Sequence, residues 1–548
     1  MANLSQKKRE RMLAFLQQLK EEHKDDDSVL IALGEIESEL TAKKYGLVWE
    51  QHEEAVDIKM RTHIPVFTEV PEREITAVPG GAYNFLLEGD NLHSLRLLER
   101  THKGKIDVIY IDPPYNTGNK DFKYDDTFVD KTDLFAHSKW LSFMSERLVI
   151  ARELLSENGV IFISIDDDEE APLKMLCDEI FGYQNFVASA IWEKKFSPQN
   201  DAKWLSDSHD FILVYSYDKE KWKPNLLPRT EEMDKRYKNP DNDPRGAWTS
   251  GDCSVKTYNA SCDYPITTPS GRVVNPPDGY CWRFSKETFA EMVKDNRIWF
   301  GDKGNNVPRV KRFLTEVKQG SVCKTIWYRT EVGDTQEGTK DMKAVFNGKA
   351  PFTNPKPVRL IERVLKLASN PNSIVLDFFA GSGTTAQAVM ELNAADGGNR
   401  KFILCTNNEN GICESVTYPR IKTVITGKRE DGSTYSEGLP ANLKYYRTDF
   451  VSKDEEYLSD ALLEHMTEMI QLEHGVKIDG QQYIIVMDDD EADELAAHWS
   501  DYPNAKALYV SKNVLFTTEQ NAIFKDVAIN IIPDYYFSFE LKEVGESW

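Results

Sequence analysis

Cysteine is scarce in this chain, 7 of 548 residues. Cys177, Cys253, Cys262, Cys281, Cys323, Cys405 and Cys413 are scattered, odd in number and without a C-x-x-C pair. That excludes a disulfide framework and the common zinc ribbons, and it predicts reduced thiols. The ten histidines show neither H-x-x-x-H spacing nor a His/Cys cluster, so no metal is expected. No run of about 18 apolar residues exists, so no membrane span is expected. Residues 1–13 are basic but lack a following apolar stretch, and do not read as a secretory leader. Together these absences predict a cytoplasmic protein. Basic residues are also in deficit, 67 Lys and Arg against 90 Asp and Glu, a net charge of −23. An even spread of that charge would repel polyanions. The spread is uneven: 193–349 carries 27 basic against 23 acidic residues, whereas 451–548 carries 6 against 21.

A chain of this length exceeds one ordinary core, and three or four structural units are expected. Five segments can be drawn. Residues 1–75 form a helical N-terminal extension, with Met12, Phe15, Leu16 and Leu19 on one stripe. After the start signal Asp25-Asp26-Asp27-Ser28, Val29, Leu33, Ile36 and Leu40 lie on another. Such short helices should dock on the body or on a second copy. Residues 76–195 alternate strand and helix, with near-continuous apolar runs at 106–111 and 160–165 that mark strands buried on both faces. Residues 196–350 are rich in Gly, Pro, Asn and Asp with short strands, an irregular α+β insertion. In 351–450 the α/β rhythm returns. Residues 451–548 are an acidic C-terminal domain.

Two motifs carry chemistry. The strand 106–111 delivers Asp112-Pro113-Pro114-Tyr115 to the carboxyl end of a sheet, where open α/β folds bind ligands. Each residue has a task if the substrate is a flat amino-heterocycle. The Asp112 carboxylate accepts one hydrogen of an exocyclic amine, and the Pro113 carbonyl accepts the other. Pro113 and Pro114 stiffen the loop. Tyr115 offers a stacking face. Two acceptors draw the nitrogen towards tetrahedral geometry and localise its lone pair for direct attack, without a covalent enzyme intermediate.

The second motif is Ile374-Val375-Leu376-Asp377-Phe378-Phe379-Ala380-Gly381-Ser382-Gly383-Thr384-Thr385: a buried strand, a glycine turn, then a helix. The glycines permit positive φ and a close ligand approach, and the helix N-terminus favours a negative ligand group. Gly381-x-Gly383-x-x-Ala386 also fits a dinucleotide fingerprint, so an NAD-binding Rossmann oxidoreductase is one alternative. Glu409, after the strand 402–405, suits ribose hydroxyls of either cofactor. A hydride-transfer enzyme has no use for the Asp-Pro-Pro-Tyr tetrad. The intact motifs also speak against a non-catalytic DNA-binding module.

Together these residues resemble the amino-methyltransferases of DNA, which share an Asp/Asn/Ser-Pro-Pro-Tyr/Phe tetrad and a Phe-x-Gly-x-Gly loop. Tetrad, insertion, then loop is similar to the β-class order. This implies an α/β, Rossmann-like S-adenosylmethionine-dependent methyltransferase sheet, circularly permuted around an inserted target-recognition domain. Gly89-Asp90-Asn91-Leu92, Asn116-Thr117-Gly118, Trp140-Leu141 and Glu146-Arg147-Leu148 look like Mod subunits of type III restriction-modification systems. The resemblance implies that Asp112 and Pro113 bind the N6 amine of adenine and that Tyr115 stacks on the base. It implies that Asp377, Phe379, Gly381, Gly383 and Thr384 surround S-adenosylmethionine, with Asp90 at its adenine and Lys356 near its methionyl end. Asp at the first tetrad position favours adenine over N4 of cytosine, the alternative target. A C5-cytosine enzyme would need a Pro-Cys nucleophile, and no such dipeptide exists. The resemblance further implies double-stranded DNA with a flipped target base, a second copy of the chain, and a possible Res-type subunit. A solitary regulatory enzyme is the alternative to a type III system. Lys303, Arg309, Lys311 and Arg312, interleaved with Trp299, Phe300 and Phe313, are the candidate DNA contacts.

Overall fold

The computed structural model describes the chain except residues 1–3, 25, 42–48, 119–121, 125–126, 130–131, 199–201, 533–535 and 544–548. Asp25 of the expected helix start lies outside the described residues, as does the side chain of Leu40. The chain divides into two compact units: Met1–Lys223 with Thr325–Trp548, and Pro224–Lys324.

The first unit is built on an eleven-stranded sheet. Its strands in chain order are β1 His63–Glu69, β2 Tyr83–Glu88, β3 Ile106–Ile111, β4 Leu155–Ile165, β5 Phe186–Glu193, β6 His209–Ser216, β7 Ile326–Trp327, β8 Ile374–Asp377, β9 Lys401–Thr406 and β10 Asn442–Ser452. In space they run β1-β10-β2-β9-β8-β3-β4-β6-β5-β7, with the short strand Ile75–Thr76 beside β10. The stretch from β10 to β4 is all parallel, as the unbroken apolar runs predict. Strand β6 is antiparallel to both its neighbours.

The placement of β3 and β8 decides where a ligand can sit. They are adjacent and parallel, Val108 against Val375 and Ile109 against Leu376. From β3 the chain crosses through helix α2 (Ala136–Leu154) to β4 on one side. From β8 it crosses through helix α3 (Thr384–Asp396) to β9 on the other. Strand order therefore reverses between β3 and β8. That opens a crevice at their carboxyl ends, where Asp112 and the glycine turn both emerge.

Two boundaries differ from the sequence-based ones. The N-terminal segment is not only helical: β1 pairs antiparallel with β10 and is part of the sheet. The separate unit is Pro224–Lys324, narrower than 196–350, because β6 and β7 return the flanking residues to the sheet. The acidic C-terminal region contains a parallel three-stranded sheet, Tyr483–Val486, Ala507–Ser511 and Ala528–Ile532. One of its faces joins the main core through Ala507, Tyr509 and Ile532. Arg100 of the helix Asn91–His102 (α1) fastens it by donating to the Tyr536 carbonyl at 2.5 Å and pairing with Glu540. The helices Leu4–Glu22 and Asp27–Thr41 pack on each other through Leu16 and Leu33, and leave Met12, Phe15 and Ile36 exposed. Among the described residues no helix is long and apolar enough to cross a membrane.

Candidate active site

A cavity of about 510 Å³ opens at the β3/β8 reversal, and Asp90, Asp112, Pro114, Phe379, Gly381 and Glu409 line it. These come from separate stretches of chain, and the sheet topology alone gathers them. Asp90 follows β2 and caps α1 by accepting from the Leu92 amide at 2.8 Å.

Asp112 has company that the sequence did not reveal. Lys356 Nζ donates to both its carboxylate oxygens, at 2.6 and 2.7 Å, and to the Tyr115 hydroxyl at 2.9 Å. The Tyr115 hydroxyl donates in turn to Asp112 Oδ1 at 2.9 Å. Lys356, expected beside a cofactor, is thus held on the tetrad. Its reach depends on Gly338, in the helix Thr335–Val345: a Cβ there would lie 2.0 Å from the Pro355 carbonyl oxygen. Only glycine lets the chain before Lys356 pass so closely.

The tetrad loop is fixed from behind. Trp140 Nε1 on α2 donates to the Pro114 carbonyl at 2.7 Å. Asn116, at φ +60°, donates to Glu169 at 2.6 Å. Glu169 is fully buried, which raises its pKa, and it also meets His137 Nδ1 at 2.7 Å.

On the β8 side the residues divide into liners and supports. Phe379 and Gly381 face the cavity, and Gly381 sits at φ +46° with Phe352 packed close against its Cα face. Gly383, at φ +76°, is the left-handed N-cap of α3. Asp377 lies beneath the turn, accepting from the Phe379 amide at 3.0 Å and the Thr385 hydroxyl at 2.6 Å. Complete burial pushes its carboxyl up to about 7 against these bonds. Thr384 is also a support: Arg420 Nη1 donates to its hydroxyl at 2.8 Å. Arg420 is wholly buried, which lowers its pKa to about 10.

Sequence reasoning missed Glu54 and Arg147. Arg147 on α2 is fully buried. It donates to Asn91 Oδ1 at 2.6 Å, to both Glu54 oxygens at 2.6 and 3.1 Å, and to Asp90 at 3.3 Å. Glu54 and Asn91 both line the cavity, so a segment assigned to the N-terminal extension supplies part of its wall. The signal for Arg147 was present: an arginine on the apolar stripe of Met144, Leu148 and Ala151. Nothing in the sequence around Glu54 marks it.

The four candidate DNA contacts lie in Pro224–Lys324, and they separate. Lys303, Arg309 and Arg312 are exposed. Lys311 is not a surface group. Its side chain is fully buried, paired with Asp241 and with Asp243 at 3.3 Å, and lies 5.3 Å from the Trp248 ring. Phe300 and Phe313 are core residues as well, so neither presents a face to a base. Strand alternation explains the split: in Arg309–Phe313, Lys311 and Phe313 point inward and Arg312 outward.

The chain is 37% identical over 382 residues to the type III restriction-modification enzyme StyLTI Mod subunit of Salmonella typhimurium, 64% of this chain and 57% of that one. It is 34% identical over 346 residues to the type II methyltransferase M.KpnI of Klebsiella pneumoniae, 58% of this chain and 79% of that one. The chain spans little more than half the length of the Mod subunits it matches. A solved complex of M1.HpyAVI with SAM covers 62% of this chain and 98% of its own at 15% identity, with a TM-score of 0.29. The family model described as DNA methylase matches residues 106–417, a span that opens on the tetrad strand and closes beyond the glycine turn, and the chain belongs to that family.

Proposed function

We propose that this chain methylates the N6 amine of adenine in double-stranded DNA, with S-adenosylmethionine as donor. The observation that carries the reading is the meeting of Asp112 and Pro114 of the tetrad with Phe379 and Gly381 of the glycine turn at one cavity, from strands some 265 residues apart in sequence. The cavity suits the cofactor chemically. Gly381 presents bare backbone to the cavity beside Phe352, Glu409 and Asp90 offer carboxylates for hydroxyl and amine hydrogens, and Phe378 and Phe379 offer apolar faces. When bound, the cofactor supplies an electrophilic methyl group.

The remaining work falls to the chain's own side chains. Asp112 accepts one amine hydrogen and the Pro113 carbonyl the other, since the Pro114 carbonyl is occupied by Trp140. Lys356 covers both Asp112 oxygens, so the entering amine takes a place that the ammonium group holds. Tyr115, its hydroxyl tied to Asp112 and Lys356, keeps one ring orientation against the flipped base. Similarity to Mod subunits supports a type III modification role, with a second copy and a restriction subunit as partners.

The test is methylation of plasmid DNA by the purified protein, with digestion and mass spectrometry of the nucleosides. N6-methyladenine is expected, and Asp112→Ala should reduce it by about 10²–10³-fold, the scale for losing one aimed electrostatic group. N4-methylcytosine in its place would overturn the choice of base. Undiminished product from Asp112→Ala would overturn the site.

A further inference from the structure

The unit Pro224–Lys324 contains a second hollow, of about 370 Å³. Four cations line it: Arg229, Arg236, Arg312 and Lys318. Among the described residues one carboxylate pairs with any of them: Asp234, which accepts from Arg229 Nε at 2.7 Å. Arg229 is mostly buried, and its Nη2 has no hydrogen-bond partner among the described residues. The unit as a whole carries 17 basic against 13 acidic residues, inside a chain of net charge −23.

The hollow is constructed rather than accidental. Arg229 and Arg236 both lie over the buried Tyr237 ring, at 5.3 and 5.4 Å. Arg312 lies across the neighbouring strand at Gly251, where a Cβ would come within 2.8 Å of its Nε. The Lys318 turn is tied to the opposite wall by reciprocal Leu227 and Ser321 backbone bonds of 2.9 Å. Guanidinium groups held close together with fewer carboxylates than cations repel one another, and an oxyanion relieves that repulsion. Ser250 and Thr249 add hydroxyls at the rim.

We propose that this hollow seats a backbone phosphate of duplex DNA, an interaction that fixes the duplex without reading its sequence. The inference rests on the duplex-DNA reading above. It goes beyond that reading by assigning Arg229, Arg236 and Lys318 a ligand and by placing Arg312 on phosphate instead of a base edge.

The experiment is a titration of the full chain with fluorescent duplexes, with and without the methylated site, from about 50 to 200 mM salt. The variant Arg236→Ala/Arg312→Ala/Lys318→Ala should weaken binding to both duplexes about equally. It should also reduce the slope of log affinity against log salt by about 1, the change for one phosphate the protein no longer neutralises. Arg312→Lys should restore part of the slope, and all variants should bind S-adenosylmethionine as the parent does. An unchanged slope overturns the proposal, and so does a loss confined to the methylated site, which would put Arg312 on bases. In a parallel arm inorganic phosphate is titrated by calorimetry. Tight binding of free phosphate by the parent, with duplex binding unaltered in the variant, would make the hollow a small-anion site and overturn the DNA assignment. If the parent itself bound no duplex, the broader reading would fail, and that outcome is distinct from a parent that binds with a slope the variant shares.

Discussion

The crevice between β3 and β8 and the hollow in Pro224–Lys324 use cations in opposite ways. In the crevice Lys356 is held by Asp112, and Arg147 by Glu54 and Asp90. Positive charge there is already matched, and it serves to hold acceptors in place for a neutral amine. In the hollow, of the four lining cations, only Arg229 is held by a carboxylate, Asp234, among the described residues. A pocket that neutralises itself suits a small ligand recognised by shape and hydrogen bonds. A pocket left positive suits a polyanion, whose bound counterions are released on binding.

This comparison can be broken at four points. Beneath the glycine turn Asp377 is buried with no matching cation among the described residues, and its effect is the largest. Its folded pKa of about 7 lies above the ordinary 3.8. The stability it contributes is therefore fully present below about pH 4 and is lost as pH rises through 7, on the order of 4 kcal/mol. The thermal midpoint of the parent should fall between pH 5 and 8, and Asp377→Asn should flatten that fall. A parallel decline in both would show that Asp377 is ionised throughout.

Next is Lys311, the matched cation of the hollow's own unit. Lys311→Met leaves Asp241 and Asp243 without it and should cost about 3 kcal/mol in denaturant unfolding. The cost stays at the low end of its range because Arg245 still holds Asp243, whose carboxyl it keeps well below the usual range. A variant as stable as the parent that has lost DNA affinity would return Lys311 to the surface role. Third, Gly338→Ala forces the backbone before Lys356 aside, at about 1–3 kcal/mol of overpacking. Methyl transfer should fall while duplex binding holds, and equal losses in both would separate Lys356 from the crevice. The smallest effect belongs to Arg309, which is half exposed and paired with Asp252 at 3.0 Å. Arg309→Ala should change stability by less than about 1 kcal/mol.

Much of the sheet was legible because its strands are buried on both faces and read as apolar runs, as Ile106–Ile111 and Val160–Ile165 do. The tetrad and the glycine turn were legible because proline and glycine restrict or free the backbone in ways few other sequences do. The support of the site was not. Glu54 and Arg147 are 93 residues apart, and no local pattern links them. Lys311 and Arg312 are adjacent, and only strand pairing shows which one faces inward. The sheet's claim on residues before 76 was hidden because β1 pairs with β10 nearly 400 residues later.

The adjacency of β3 and β8 also bears on how the molecule assembles. The tetrad leaves the ribosome long before its partner strand, since Asp112 precedes Gly381 by more than half the length already made. Until residues 374–406 arrive, β3 has one flank open and the crevice has no second wall. Pairings of such long sequence separation close slowly, after the loop entropy between them has been overcome. A chain released early would thus expose the strand that carries Asp112 as an unpaired apolar edge, the form of the molecule most exposed to aggregation.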